Sequence, residues 1–146
     1  MMTTVYDVPA SKVIGTASRE LKKLKQVSPP DWAKFAKTGS GREMSPDQKD
    51  WWYTRSASIL RKIYVAGPIG ITRLSKKYGN KKNRGYKPEA RRRGSGSIIT
   101  GIIKQLESVE FIKTTRKGRA ITPKGISFLD KISHNIKKGM PELKKY

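Results

Sequence analysis

The densest apolar pattern in the chain runs from Asp50 to Tyr64. On a helix of 3.6 residues per turn, Trp52, Ser56, Ile59 and Ile63, with Tyr53, Leu60 and Tyr64 beside them, form one broad face. Thr54, Arg55, Ser58, Arg61 and Lys62 fall opposite. Ser45-Pro46-Asp47 marks a start and Gly67-Pro68 a stop, because proline suits a first turn and glycine followed by proline ends a helix. Two Trp and two Tyr stand in this one segment, and aromatic side chains dominate core energetics. The pattern predicts a central helix packed on one side and cationic on the other.

The flanking segments follow the same rule. Val13, Ala17, Leu21 and Leu24, with Ile14 and Val27, share a face of a helix predicted over residues 9–26, with Asp7 as its cap and Pro9 in its first turn. Ser28-Pro29-Pro30-Asp31 ends it and opens a short helix over 32–37, in which Trp32, Phe35 and Ala36 are apolar and Trp32 reads as a buried anchor in preference to a base-stacking residue. Residues 38–44 read as a loop. It lacks the Gly-Lys-Ser/Thr ending of a phosphate-cradling P-loop. A second short helix spans 72–78, with Gly79-Asn80 as a left-handed cap. Beyond residue 94, Ser95 or Ser97 caps a helix whose Ile98, Ile99, Ile102, Ile103, Leu106 and Val109 are core. Phe111–Thr115 and Arg119–Thr122 form a hairpin turned by Arg116-Lys117-Gly118. Pro123-Lys124-Gly125 opens a last helix carrying Ile126, Phe128, Leu129, Ile132 and Ile136. There are no internal repeats.

In that order, helix, short helix, helix, hairpin and helix spell a winged helix-turn-helix, with Ser97–Val109 as recognition helix and the hairpin as wing. The fold class expected is therefore mainly α: a winged-helix-type helical domain around a central amphipathic helix, with a two-stranded β-hairpin wing. The 146 residues are expected to fold as a single domain. Residues 1–45 would be a helical N-terminal extension packed on the core, 46–136 the winged-helix-like core and 137–146 a basic tail.

Charge changes the picture most. Thirty-three Lys+Arg against 11 Asp+Glu give a net +22, and a chain so basic repels itself unless a polyanion neutralises it. Nucleic acid is the first candidate and an anionic membrane the second. No run of apolar residues is long enough to span a bilayer, and the N-terminus lacks the charged-then-apolar order of a secretory signal. Cysteine is absent, which excludes disulfides and thiolate chemistry. The single histidine, His134, reads as a helix-end residue, and the carboxylates are scattered, so general acid–base, nucleophilic and metal chemistry all lack a constellation. No enzyme activity and no cofactor are expected.

The cations are concentrated. Arg73, Lys76, Lys77, Lys81, Lys82, Arg84, Lys87, Arg91, Arg92 and Arg93 lie within one stretch whose only acid is Glu89. With Gly79, Gly85, Pro88, Gly94 and Gly96 to punctuate it, residues 79–94 read as an irregular loop, unfolded until a polyanion arrives and suited to close approach by phosphates. Tyr86 within it is either a base-stacking residue or a loop anchor. Arg55, Arg61 and Lys62 on the central helix, and Lys113, Arg116, Lys117 and Arg119 on the wing, complete the candidate set. The recognition helix, by contrast, offers Thr100, Gly101, Lys104, Gln105, Glu107 and Ser108, with one cation, and is poorly equipped to read base edges in a major groove. This favours a folded polyanion bound through backbone and shape over base-read duplex DNA.

Pro-Pro-Asp-Trp, Trp-Trp-Tyr-Thr-Arg-Ser-Ala-Ser, Tyr-Gly before a basic stretch, Arg-Gly-Ser-Gly-Ser and Ile-Thr-Pro-Lys-Gly, all in register from about Val5 to Ile136, resemble the small-subunit ribosomal protein S-nineteen family of eukaryotes and archaea. The resemblance implies a structural constituent of the small ribosomal subunit, seated in its head on ribosomal RNA in the cytoplasm. It also implies a role in assembly and rRNA maturation. Partners would be small-subunit rRNA and neighbouring small-subunit proteins, with no membrane, no small-molecule substrate and a monomer within the particle. The family's cationic helix maps onto Arg55, Arg61 and, more loosely, Lys62, and its basic stretch onto Lys76 through Arg93. The short length leans archaeal. The alternative, a winged-helix DNA-binding transcription regulator, shares the topology.

Overall fold

The computed structural model describes residues 3–34, 37–39, 41, 46 and 49–139. Phe35 and Ala36, Ser40, residues 42–44, the helix-start residues Ser45 and Asp47, and the tail from 140 onward lie outside the described residues.

The central helix forms as its spacing requires. α2 (Trp51–Ala66) buries Trp52, Ser56, Ala57, Ile59, Leu60 and Ile63. Gly67, at φ 78°, ends it by donating its N–H to the Ile63 carbonyl (3.0 Å). α1 (Ala10–Lys22) packs along α2 and buries Val13, Ala17 and Leu21. It is shorter than the spacing predicts at its C-terminal end, because Lys23 turns the chain and local bonds to the carbonyls of Leu21 and Leu24 fold Val27 into the core instead. Nor is Asp7 its cap. Asp7 closes a 3-10 turn, Val5–Asp7, accepting from the Thr4 N–H at 2.8 Å, and Pro9 takes the cap position of α1.

Trp32 is a second departure. The expected short helix is a 3-10 turn, Asp31–Lys34, in which Ala33 is buried while Trp32 is 45% exposed. Its ring still meets the Trp52 ring edge-on at 5.9 Å, so it covers the core rather than filling it.

After Gly67-Pro68 the chain makes a single bridge to the later wing, with Ile69 and Arg119 exchanging both backbone hydrogen bonds (3.0 and 2.9 Å). α3 (Ile71–Lys77) follows, capped at Tyr78. Gly79 and Asn80 are not left-handed. Asn80 begins an antiparallel hairpin, β1 (Asn80–Arg84) and β2 (Lys87–Arg92), in place of the irregular loop expected over 79–94. The pairing Asn80 with Arg92, Lys81 with Arg91 and Lys82 with Ala90 supplies backbone hydrogen bonds that an apolar count does not register. The hairpin's base is held by Gly94, whose N–H meets the Ser75 carbonyl (2.7 Å), and by Arg91, whose Nη2 donates to the Lys76 carbonyl (2.8 Å).

α4 (Gly96–Ser108) is capped by Ser95 and buries Ile98, Ile99, Ile102, Ile103 and Leu106, as expected. β3 (Ile112–Thr115) and β4 (Gly118–Ile121) form the wing, and α5 (Pro123–Lys138) starts at Thr122, whose Oγ1 accepts from the Gly125 N–H (3.2 Å). The turn is Arg116-Lys117. Gly118 already belongs to β4, at φ 130°, and a Cβ there would collide with the Ile69 carbonyl, so that no side chain fits. Ile126 leaves the expected apolar face of α5 and is 37% exposed. α2, the Ile69 bridge, α3, α4 and the β3–β4 wing are the parts of a winged helix. The β1–β2 hairpin is inserted where a helix-turn-helix has its tight turn.

Candidate nucleic-acid interface

The cations do not lie on the winged helix's recognition surface. On α4, Gln105 donates to the Ser28 carbonyl through Nε2 (2.7 Å) and accepts from Trp52 Nε1 through Oε1 (2.8 Å). Glu107 accepts from Thr114 Oγ1 (2.7 Å) and lies 3.8 Å from Arg119 Nε. Gly101 sits 3.2 Å, measured from where a Cβ would be, from the Trp52 ring. Two of the polar positions of α4, Gln105 and Glu107, are thus spent on the N-terminal segment, on α2 and on the wing. A groove-reading helix needs them free.

The outward face of α2 is where cations gather. Arg55 lies over the Tyr78 ring (4.2 Å from guanidinium carbon to centroid) and Lys62 Nζ lies 4.6 Å from the same centroid. Cations over an aromatic face are held by its quadrupole, so Tyr78 fixes two long side chains that would otherwise roam. Tyr78 is itself fixed by a 2.6 Å hydrogen bond between its hydroxyl and Ser58 Oγ. Burial, then the positive charges of Lys77, Arg61 and Arg55, hold the Lys62 ammonium below the usual lysine value. Burial likewise pushes the Tyr78 phenol up, against smaller opposing effects of Ser58 and Arg55. Arg61 Nε is buried without a hydrogen-bond partner among the described residues. A desolvated cluster of like charges is costly until an anion enters it.

From this cluster the charge continues into α3 and the hairpin. Lys76 and Lys77 end α3, Lys81, Arg84, Lys87, Arg91 and Arg92 are exposed along the inserted strands and Arg93 just beyond them, with Lys82 half-buried. Arg84 Nε donates to the Pro88 carbonyl (2.7 Å) and stiffens the ribbon. A hollow of about 660 Å³ opens at the hairpin base, lined by Lys37, Arg91, Arg92, Arg93, Gly94 and Ser95. Lys37 is not among the candidates that the sequence offers, since only folding brings it beside the arginine run. A second hollow, of about 450 Å³, joins Arg73 at the start of α3 to Lys117 of the wing turn. Lys113 and Arg116 are on the wing, and Arg119 is half-buried there, 3.8 Å from Glu107, with its Nε, like that of Arg61, buried and lacking a hydrogen-bond partner among the described residues. Along the sequence from Trp51 to Leu106 the only acid is Glu89.

Among the described residues no group of His and acidic side chains could hold a metal ion, and no helix is long and apolar enough to cross a membrane.

The sequence profile of ribosomal protein S19e matches residues 4–139. The chain belongs to the ribosomal protein S19e family. Among its relatives, small ribosomal subunit protein eS19 of Thermoplasma acidophilum is 43% identical, covering 97% of this chain and 94% of that protein. That of Aeropyrum pernix is 44% identical over 99% of each chain. The fission-yeast protein eS19A (Schizosaccharomyces pombe) is 37% identical over 91% of this chain and 93% of its own. These relatives carry ribosomal names, and the DNA-binding alternative finds no counterpart among them.

Proposed function

We infer that the protein is a structural, non-catalytic constituent of the small ribosomal subunit in the cytoplasm. It binds small-subunit rRNA in the subunit head, beside neighbouring ribosomal proteins, as a monomer within the particle. Family membership over residues 4–139 supports the ribosomal part. The observation that carries the RNA part is the cationic surface running from Arg55, Arg61 and Lys62 over Tyr78 into α3 and the inserted hairpin, with one acid in its whole length. Arg73, Lys76, Lys77, Lys81, Lys82, Arg84, Lys87 and Arg91 to Arg93 would take successive phosphates, with Lys113, Arg116 and Lys117 of the wing at the margin. Arg119, whose buried Nε lacks a hydrogen-bond partner among the described residues, would take a phosphate at the same margin. We further propose that the chain is a single domain, since the buried hydrophobics from Val5 to Ile132 form a single cluster.

The deciding experiment is sedimentation of a cell lysate on sucrose gradients at moderate and high salt. Co-migration with the small subunit, lost only when high salt strips the protein, is expected. Its absence from ribosomal fractions would sink the reading.

A further inference from the structure

We propose that Tyr86, at the tip of the β1–β2 hairpin, stacks on an unpaired nucleobase of the RNA held by the cationic surface. This rests on the RNA-binding reading above and adds to it the kind of RNA feature required, an accessible single-stranded base.

Tyr86 is the most exposed large hydrophobic side chain among the described residues, at 109% of the reference exposure. Its neighbours set what can cover it. The turn Gly85-Tyr86 is flanked by Arg84 and Lys87, which face each other across the strands, with Lys81, Lys82 and Arg91 further down. An apolar protein surface laid on this tip would bury several cations without partners. A single-stranded RNA brings phosphates for the cations and a base for the ring. Aromatic platforms in a cationic ribbon are the usual means of holding such strands.

The tip is also pre-shaped. Gly85 takes φ 71°, its N–H is accepted by Asn83 Oδ1 (3.0 Å), and Arg84 Nε reaches the Pro88 carbonyl across the turn (2.7 Å). These bonds fix the turn before any ligand arrives, so stacking does not have to order it. The β-ribbon carries the ring about 16 Å from its base, five residues at about 3.3 Å each. That reach lets the tip enter a loop or bulge while the base of the hairpin stays on backbone phosphates.

The test uses the full chain and a transcript of the small-subunit rRNA. Binding is titrated over a range of salt for the wild type and for Tyr86→Ala, Tyr86→Leu, Tyr86→Phe and Tyr86→Trp, and base reactivity is probed chemically in each complex. Removing one stacked base is expected to weaken Tyr86→Ala roughly 5- to 150-fold, with the salt slope unchanged because every phosphate keeps its cation. Phe and Trp restore binding and Leu does not. At least one unpaired base protected by the wild type and by Tyr86→Phe becomes reactive with Tyr86→Ala. The proposal is overturned if Tyr86→Ala binds as the wild type does, if Leu rescues as well as Phe, or if no base changes reactivity. Normal binding of Tyr86→Ala to naked rRNA, coupled with weaker retention on the assembled subunit, would point to a protein neighbour and also overturn it. A wild-type chain that shows no salt-dependent binding to the transcript would overturn the RNA-binding reading itself.

Discussion

Glu110 shows how a single residue can be at odds with its own backbone. α4 ends in a turn in which the Phe111 N–H bonds the Leu106 carbonyl (3.0 Å) and the Glu110 N–H bonds the Glu107 carbonyl (2.9 Å), which places Glu110 at φ 68°. Glycine normally holds that left-handed position, because a Cβ there costs about 1–2 kcal/mol. Glu110→Gly is therefore expected to stabilise the free protein by about 1 kcal/mol in denaturant unfolding, less what the more flexible unfolded chain takes back. A loss of stability would mean that the side chain contributes more than its exposed approach to Lys124 suggests. Tyr64 offers a pH-dependent counterpart. Its hydroxyl donates to Asp130 Oδ1 (2.8 Å), and burial first, then that carboxylate, push the phenol from 10.0 up to about 12. A folded value above the unfolded one means the contribution is fully present below pH 10 and is lost as pH rises towards 12. Tyr64→Phe is expected to cost about 0.5–1.5 kcal/mol at neutral pH and to flatten that alkaline fall. An unchanged alkaline profile in Tyr64→Phe would reject the assignment.

At the scale of elements, the inserted hairpin matters most. Read as sequence, residues 79–94 are cations, glycines and a proline with almost nothing to bury, and disorder is the natural expectation. The structure stabilises them by a backbone ladder and by clamps at the base, where Gly79 and Gly94 lie so close to Arg92 and Tyr78 that a Cβ would collide. Backbone amides in the Lys81–Arg92 ladder are thus expected to show slowed hydrogen exchange in the free protein. Exchange at unfolded rates throughout would restore the disordered reading. Converting Arg91, Arg92 and Arg93 together to Ala is expected to lower the slope of log affinity for rRNA against log salt by roughly 0.7–0.9 for each phosphate no longer neutralised. An unchanged slope would remove the run, and the hollow it lines, from the interface. α4 makes the opposite point. Its aliphatic face is plain from the spacing, but Gln105 and Glu107 on its polar side are occupied by Ser28, Trp52 and Thr114, which no local pattern could disclose.

For the whole molecule, net charge is the governing quantity. At +22 the folded chain repels itself, and the repulsion is felt where the charges of Lys77, Arg61 and Arg55 act on Lys62. The melting temperature of the free protein is expected to rise from low to physiological ionic strength, and further when rRNA is added, as screening and then specific neutralisation relieve it. A melting temperature insensitive to both would show that the cations are too well solvated to matter. The surface that repels itself in the free chain is the one proposed to hold RNA, so stability and binding are coupled through the same side chains.

The sequence by itself determined the longer helices, most of their buried faces and the basic character of the protein, because period and charge are local properties that survive without a fold. It located the wing and pointed to the family through five motifs in register. Only the tertiary structure decided that Trp32 covers the core instead of entering it and that Lys37 joins Arg91 to Arg93. Only the fold, too, showed that Glu107 is bonded by Thr114 and that residues 80–92 make a ribbon. Each of these depends on which groups meet after the chain has folded, and hydrogen bonds between paired backbones leave no periodic trace in the residues that make them.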